Sequence, residues 1–275
     1  MISIVRHITD RLIGFYPEDE ARSLAWWILE EVSGLSRSQL LTDCKSTTKF
    51  RDTQIFEPII ARLQQFEPIQ YIFGHTLWNA LDLRLTSATL IPRPETAELV
   101  EKLSTFDFRI SNPKVLDIGT GSGCIALAIK RAHPDWQVTG IDISGEAVQV
   151  AQENARRNGL QVDFLQMDIF SPQAEKLQFD LVVSNPPYIR ESERKTMTAN
   201  VLKFEPETAL FVPDNDPLIF YRRIADLRIA QYLWFEINEA LGKETTEMLR
   251  ERNYTDIQIY NDTYGKQRIV SARMD

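Results

Sequence analysis

The chain is short of cysteine: Cys44 and Cys124 are the two it has, and they stand 80 positions apart in different segments. That spacing speaks against a disulfide framework, and Cys124 reads as a packing residue rather than a reactive thiol. Histidine is as sparse. His7, His75 and His133 are the three present, and none stands at ligand spacing from a cysteine or another histidine, so no metal is expected. Long hydrophobic runs are missing too; near the N-terminus the longest is Leu24 to Leu29, far below the span of a bilayer. Met1 to Pro17 carries charges throughout and lacks a secretory core, which leads us to expect a cytoplasmic protein with no membrane association. Positive charge is in deficit. Lys and Arg number 31 against 39 Asp and Glu, for a net charge of −8, and residues 1–75 alone hold 8 basic against 10 acidic side chains. Duplex nucleic acid is normally gripped through a basic patch, so a nucleic-acid partner is not expected. Arg190, Arg194 and Lys195 form a local basic spot that suits either a partner contact or a solvated loop.

What is present is the composition of a soluble globular protein, 43% hydrophobic and 25% charged, long enough for one large domain or one with a smaller companion. Residues 1–73 read as a helical domain. Leu24, Trp27, Ile28, Val32 and Leu35 recur at helical spacing before a stop at Gly34, and Ile55, Ile59, Ile60, Leu63 and Phe66 repeat the pattern. Trp26 and Trp27 are expected in a core or at a domain contact. Residues 74–95 read as a hairpin linker around the alternating Leu81-Asp82-Leu83-Arg84-Leu85, ending in the Pro92-Arg93-Pro94 turn; Arg93 and Glu95 suit the cleft or an interdomain ion pair equally. From 96 to 275 strand and helix patterns alternate as in an α/β fold, a doubly wound sheet with helices on both faces. Ser144 is placed to cap a helix that Asn158-Gly159 ends, and two terminal strands around Ile257–Tyr260 and Arg268–Ala272 complete seven.

Four strand ends in this part carry chemistry. Val115 to Ile118 runs into Gly119-Thr120-Gly121-Ser122-Gly123, a turn that can bring bare backbone close to a ligand. A dinucleotide fingerprint needs glycine where Cys124 stands, and no Lys-Ser or Lys-Thr pair follows, so neither a pyrophosphate loop nor a P-loop fits. The remaining reading is a nucleoside without a phosphate chain. Asp142, nineteen residues past Gly123, ends a second strand where a carboxylate can reach ribose hydroxyls. Asp168-Ile169-Phe170 ends a third and could bind and sandwich an adenine ring. Last, Phe179 to Val183 leads into Ser184-Asn185-Pro186-Pro187-Tyr188-Ile189, which presents an amide, two prolines without backbone donors and an aromatic face. A flat NH₂ group could donate to the Asn185 side-chain oxygen and the Pro186 carbonyl while Tyr188 stacks on it.

The glycine loop, the acid after the second strand and Asn185-Pro186-Pro187-Tyr188 together resemble S-adenosylmethionine-dependent methyltransferases that act on planar nitrogen. Pro68-Ile69-Gln70-Tyr71-Ile72-Phe73-Gly74, Leu90-Ile91-Pro92-Arg93-Pro94-Glu95-Thr96, Phe204-Glu205-Pro206-Glu207-Thr208-Ala209-Leu210 and Gly265-Lys266-Gln267-Arg268-Ile269-Val270 narrow the likeness. With them the chain is similar to the HemK/PrmC-like glutamine methyltransferases from about residue 60 onward. The resemblance implies a seven-stranded Rossmann-like methyltransferase domain behind a helical substrate-recognition domain. It implies S-adenosyl-L-methionine as cofactor, held by Gly119 to Gly123, Asp142, Asp168, Ile169 and Asn185. The substrate implied is the glutamine of the Gly-Gly-Gln loop of peptide chain release factors, bound by Asn185 to Tyr188, with Asn185, Pro186 and Tyr188 as the catalytic set. A monomer is expected. The chain departs from the pattern at Asp226 to Gln231, where the family usually has a Gly-Gly turn, and at Ala97, where an acid is common. Rival readings are an adenine-directed DNA or RNA methyltransferase, a ribosomal-protein glutamine methyltransferase, and a non-catalytic cofactor-sensing scaffold.

Overall fold

The computed structural model describes residues 2–42 and 53–274; Cys44 lies outside the described residues. The chain divides into two compact units, Met1–Gly74 with Thr198–Phe204, and His75–Met197 with Glu205–Asp275. Among the described residues no helix is long and apolar enough to cross a membrane.

The first unit is helical: α1 (Ile2–Leu12), α2 (Glu18–Ser33), α3 (Arg37–Thr42), α4 (Glu57–Leu63) and α5 (Ile69–Phe73), with the short helix Ala199–Phe204. Ile4, Val5, Ile8 and Leu12 recur on one face of α1 and are buried against Ala21, Ala25, Ile28 and Leu29 of α2. The expected stripe on α2 is therefore rotated. Leu24 and Trp27 are only half-buried and Val32 is exposed, because the small side chains at 21 and 25 mark the face where the two helices can approach closely. In the later stretch Phe56, Ile60 and Leu63 are buried while Ile55 is exposed. Trp26 lies in the core under the Arg37 guanidinium, 4.4 Å from the ring centre. Gly34 ends α2 with φ at +69°, its N–H donated to the Glu30 carbonyl.

The second unit opens with an antiparallel hairpin, β1 (His75–Trp78) and β2 (Leu81–Arg84), followed by α6 (Pro94–Thr105). The main sheet contains β3 (Lys114–Ile118), β4 (Gln137–Asp142), β5 (Asp163–Gln166), β6 (Leu181–Ser184), β9 (Tyr232–Glu236), β10 (Tyr254–Asn261) and β11 (Gln267–Met274), in the order β10-β11-β9-β6-β3-β4-β5. Two short strands, β7 (Ile189–Arg190) and β8 (Phe211–Val212), pair parallel to each other beside it. Helices α7 (Cys124–Ala132), α8 (Gly145–Asn158), α9 (Ile219–Leu227) and α10 (Gly242–Glu251) complete the unit.

Alternation within the strands explains the layering. Val115, Leu181, Val183, Tyr232 and Trp234 pack with α6, α7 and α8 on one face; Leu116, Ile118, Val182, Leu233 and Phe235 pack with α9 and α10 on the other. Both sets are apolar, so both faces are covered by helices, as parallel strands require. Ser144 caps α8 by accepting from the Ala147 N–H, and Gly159 ends it at φ +65°. Where the resembling family has a Gly-Gly turn, Arg228 itself takes the left-handed conformation at φ +50°, a strain of about 1–2 kcal/mol for a side chain with a Cβ.

The order of strands fixes where a ligand can sit. From β3 the chain moves outward through β4 to β5, then returns to the other side of β3 as β6 and continues to β9. The reversal lies between β3 and β6, and a crevice opens there at the carboxyl ends of the strands. Ile118 pairs with Ser184 and Ile141, and Ser184 with Phe235, so the residues that follow, Gly119 and Asn185 just beyond their strands and Asp142 and Glu236 as the last of theirs, lie at one level.

Candidate active site

A cavity of about 430 Å³ occupies this crevice, within the range of small-molecule sites. Its wall includes Gly119, Gly121, Asp142, Asp168, Ile169, Asn185, Pro186 and Pro187, joined by Thr89 and Leu90 before α6 and by Pro206 and Thr208 before β8. Segments distant in the chain thus converge on one space. Thr120, Ser122, Gly123 and Tyr188 stand outside this wall. A larger recess of about 610 Å³ lies at the opposite end of the sheet, by Lys114, Gln137 and Asp163 at the starts of β3, β4 and β5, away from the crevice.

The glycine loop is held from beneath. Gly119 and Thr120 donate their N–H groups to the Ile141 carbonyl at 2.9 and 3.0 Å, and Gly121 donates to Asp142 Oδ2 at 2.8 Å. Gly119 and Gly121 have φ of +72° and +55°, and a Cβ added at either would meet nothing within 4 Å, so their bare backbone borders open space. Gly123 serves packing instead: a Cβ there would lie 3.0 Å from the Phe164 ring and 3.1 Å from Ala151. Thr120 turns inward and donates its hydroxyl to Asp117 Oδ2 at 2.6 Å, while the Ala126 N–H reaches the same oxygen at 3.2 Å. Asp117 is fully buried, and burial pushes its carboxyl from 3.8 up to about 7 against those two hydrogen bonds. The Ser122 carbonyl accepts from Asn154 Nδ2 at 2.9 Å, and the same buried Asn154 brackets the backbone of Arg84 through its N–H and its carbonyl. Asn158 does likewise for Asp82, so α8 ties the β1–β2 hairpin to the loop.

Asp142 receives the Ser144 N–H on Oδ1 and the Gly121 N–H on Oδ2, with the Ile143 N–H also against the carboxylate, and it keeps acceptor capacity for a ligand. Its pKa is raised, burial outweighing those N–H donors. Asp168 accepts the Phe170 N–H in a tight turn, which leaves Ile169 buried in the cavity wall.

Asn185 begins the turn after β6. Its Nδ2 donates to Thr96 Oγ1 at 3.3 Å, and the Thr96 hydroxyl donates to Glu236 Oε2 at 2.7 Å. The Tyr188 hydroxyl reaches Glu236 Oε1 at 3.2 Å, and Tyr221 donates to the Glu236 carbonyl at 2.9 Å. Tyr188 has its pKa pushed above its usual range by burial and by the Glu236 charge. Arg93 pairs within its own unit. It binds Glu205 at 2.6 Å, and Glu205 also accepts the Ile91 N–H at 3.3 Å, joining the segments on either side of the cavity mouth. Thr96 and Glu205 stand in motifs that carry the resemblance, but the sequence assigns neither them nor Glu236 and Asn154 a role in the site. The available signal was a single carboxylate at the carboxyl end of an otherwise apolar strand, Tyr232 to Ile237.

Residues 95–210 match the family described as Methyltransferase small domain, and residues 3–74 match the PrmC N-terminal domain. A release factor glutamine methyltransferase of Bacteroides thetaiotaomicron is 41% identical over 99% of both chains. One of Flavobacterium psychrophilum is 40% identical over 95% of this chain and 94% of its own. The crystal structure of the N-terminal domain of human METTL16 in complex with SAH shares the fold at a TM-score of 0.52 and 16% identity, covering 75% of this chain and 82% of that one. With relatives this similar along nearly their whole length, and a methyltransferase domain containing the crevice, the chain belongs to the release factor glutamine methyltransferase family.

Proposed function

We propose that this chain transfers a methyl group from S-adenosyl-L-methionine to the side-chain amide nitrogen, N5, of the glutamine in the Gly-Gly-Gln motif of peptide chain release factors. The observation that carries the reading is the placement of Asn185 and Pro186 in the same cavity wall as Gly119, Gly121 and Asp142, across the strand reversal. The residues suit the cofactor: open space beside Gly119 and Gly121 admits a ligand against backbone, Asp142 offers acceptor capacity to hydroxyls, and Ile169, Leu90 and Phe220 supply apolar walls. Thr120, Ser122 and Gly123 keep the loop in shape. The structure of a neighbour in the fold with SAH bound is in keeping with this assignment. When bound, S-adenosyl-L-methionine supplies an electrophilic methyl group.

An amide nitrogen is a poor nucleophile, because its lone pair is delocalised into the carbonyl by the resonance that makes peptide rotation cost about 18–20 kcal/mol. Asn185 Oδ1 and the Pro186 carbonyl accept both amide hydrogens, which fixes the nitrogen and stabilises the positive charge that grows on it. Such positioning can lower a barrier by up to about 7–11 kcal/mol. Asn185 is no base, so the methylated nitrogen gives up its proton to solvent water after transfer. Pro187 keeps the turn rigid, and Tyr188 is assigned the aromatic face of the amide position. The helical unit recognises the release factor, and the enzyme works as a cytoplasmic monomer.

A labelled-methyl assay offering purified release factor, ribosomal protein and oligonucleotide side by side tests the reading. Label is expected on the release-factor glutamine; label on the oligonucleotide alone would overturn it in favour of exocyclic-amine methylation.

A further inference from the structure

Asn185 can serve as an acceptor only if its amide is turned with Oδ1 toward the substrate, and nothing in its own strand dictates that choice. The neighbours do. A hydroxyl has one proton, and Thr96 is hydrogen-bonded on one side to Glu236 at 2.7 Å and on the other to Asn185 at 3.3 Å. Ionised, the Glu236 carboxylate can only accept, so the Thr96 proton points to it, and the Thr96 oxygen must then accept from Asn185. That leaves Nδ2 committed to Thr96 and Oδ1 free. The carboxylate and the hydroxyl are 1% and 2% exposed, so water does not substitute for either. Resting on the methyl-transfer reading above, we propose that Glu236, acting through Thr96, is a positioning residue that orients the Asn185 amide with its oxygen toward the substrate.

The reverse state defines the cost of losing this relay. A protonated Glu236 can donate to Thr96, whose own proton then turns to Asn185 and attracts Oδ1, presenting an NH₂ group to the substrate NH₂ group. Two donors facing each other make no hydrogen bond. The groups around Glu236 bear on its ionisation from every side. Burial raises its pKa; Thr96, Arg268 of β11 and Tyr188 lower it, and Glu95 of α6 raises it. Tyr221 of α9 and Cys124 of α7 also face it, each with its own pKa raised in part by the Glu236 charge. Turnover is therefore expected to rise with pH as Glu236 loses its proton.

The test compares wild type, Thr96→Val, Thr96→Ser and Glu236→Gln with release factor as substrate, reading kcat, KM and cofactor affinity against pH. Thr96→Val is expected to lose about 10²-fold in kcat with cofactor affinity kept, and Thr96→Ser to restore it. The rising acid limb should be absent from both Thr96→Val and Glu236→Gln. An independent readout is the Asn185 side-chain NH₂ signal in ¹H–¹⁵N spectra, identified by its loss in Asn185→Ala. It should shift with pH in the wild type and stay fixed in Glu236→Gln, without any turnover. A folded Thr96→Val enzyme with wild-type kcat and pH profile, or a wild-type Asn185 signal that ignores pH, would overturn the relay. A wild-type enzyme that leaves the release factor unlabelled would instead overturn the functional reading itself.

Discussion

Replacing Asp117 with Asn should remove a pH dependence of stability that the wild-type fold carries. Asp117 sits near the end of β3 with no exposed surface; Oδ2 holds both Thr120 and Ala126, while Oδ1 has no hydrogen-bond partner among the described residues. Its pKa rises from 3.8 in the unfolded chain to about 7 in the fold. The folded state thus holds this proton more tightly, so the group stabilises the fold fully below pH 3.8 and that contribution is lost as pH rises through about 7. A gap of this size corresponds to up to about 4 kcal/mol, a large share of the about 5–15 kcal/mol that holds a typical protein folded. Asn cannot ionise, yet its Oδ1 can accept from Thr120 and Ala126 as Oδ2 does. Taking the variant minus the wild type cancels every other titrating group. The difference should grow by up to about 4 kcal/mol between about pH 4 and pH 8, or by about 8–16 °C in Tm for a unit of this size. Urea titrations followed by tryptophan fluorescence, with thermal melts at each pH, measure it. Cofactor affinity should change only a few-fold, because the turn keeps its anchor. A constant offset between the two proteins across the pH range would refute the assignment of a proton to this buried carboxyl.

Three further outcomes follow from the site. Asn185→Ala should lower kcat by about 10²–10³-fold and leave the cofactor dissociation constant within a few-fold; an active variant would remove the proposed mechanism. Asp142→Asn should weaken cofactor binding by about 1.5–3 kcal/mol, the range for a hydrogen bond to a charged group; unchanged calorimetric affinity would show that Asp142 does not hold the ligand. Arg93→Ala leaves the Glu205 carboxylate, 5% exposed, without its ion-pair partner. The unfolding free energy should drop by about 3–5 kcal/mol, and a change below about 1 kcal/mol would mean that water or another group takes over.

Much of this was legible from residues close together in the chain. The glycine turn, the acids at 142 and 168, the Ser144 cap and the alternation that puts apolar side chains on both faces of β3, β6 and β9 are local patterns, each set by backbone sterics or by a period of two or 3.6 residues. The face that α2 buries is not legible in the sequence, for the same reason. Bulk at Leu24 and Val32 is visible in the sequence, whereas the close approach permitted by Ala21 and Ala25 exists only once α1 is in place.

The chain by itself determined the kinds of element, the strand ends and the acceptor pair at Asn185 and Pro186, because those depend on neighbours a few residues away. Tertiary structure alone decided which distant groups meet: Thr96 with Glu236 across 140 positions, Thr96 with Asn185 across 89, and Arg93 with Glu205 across 112. A buried polar atom must find its partner wherever the crossovers of the sheet deliver one, and no local pattern records where that will be.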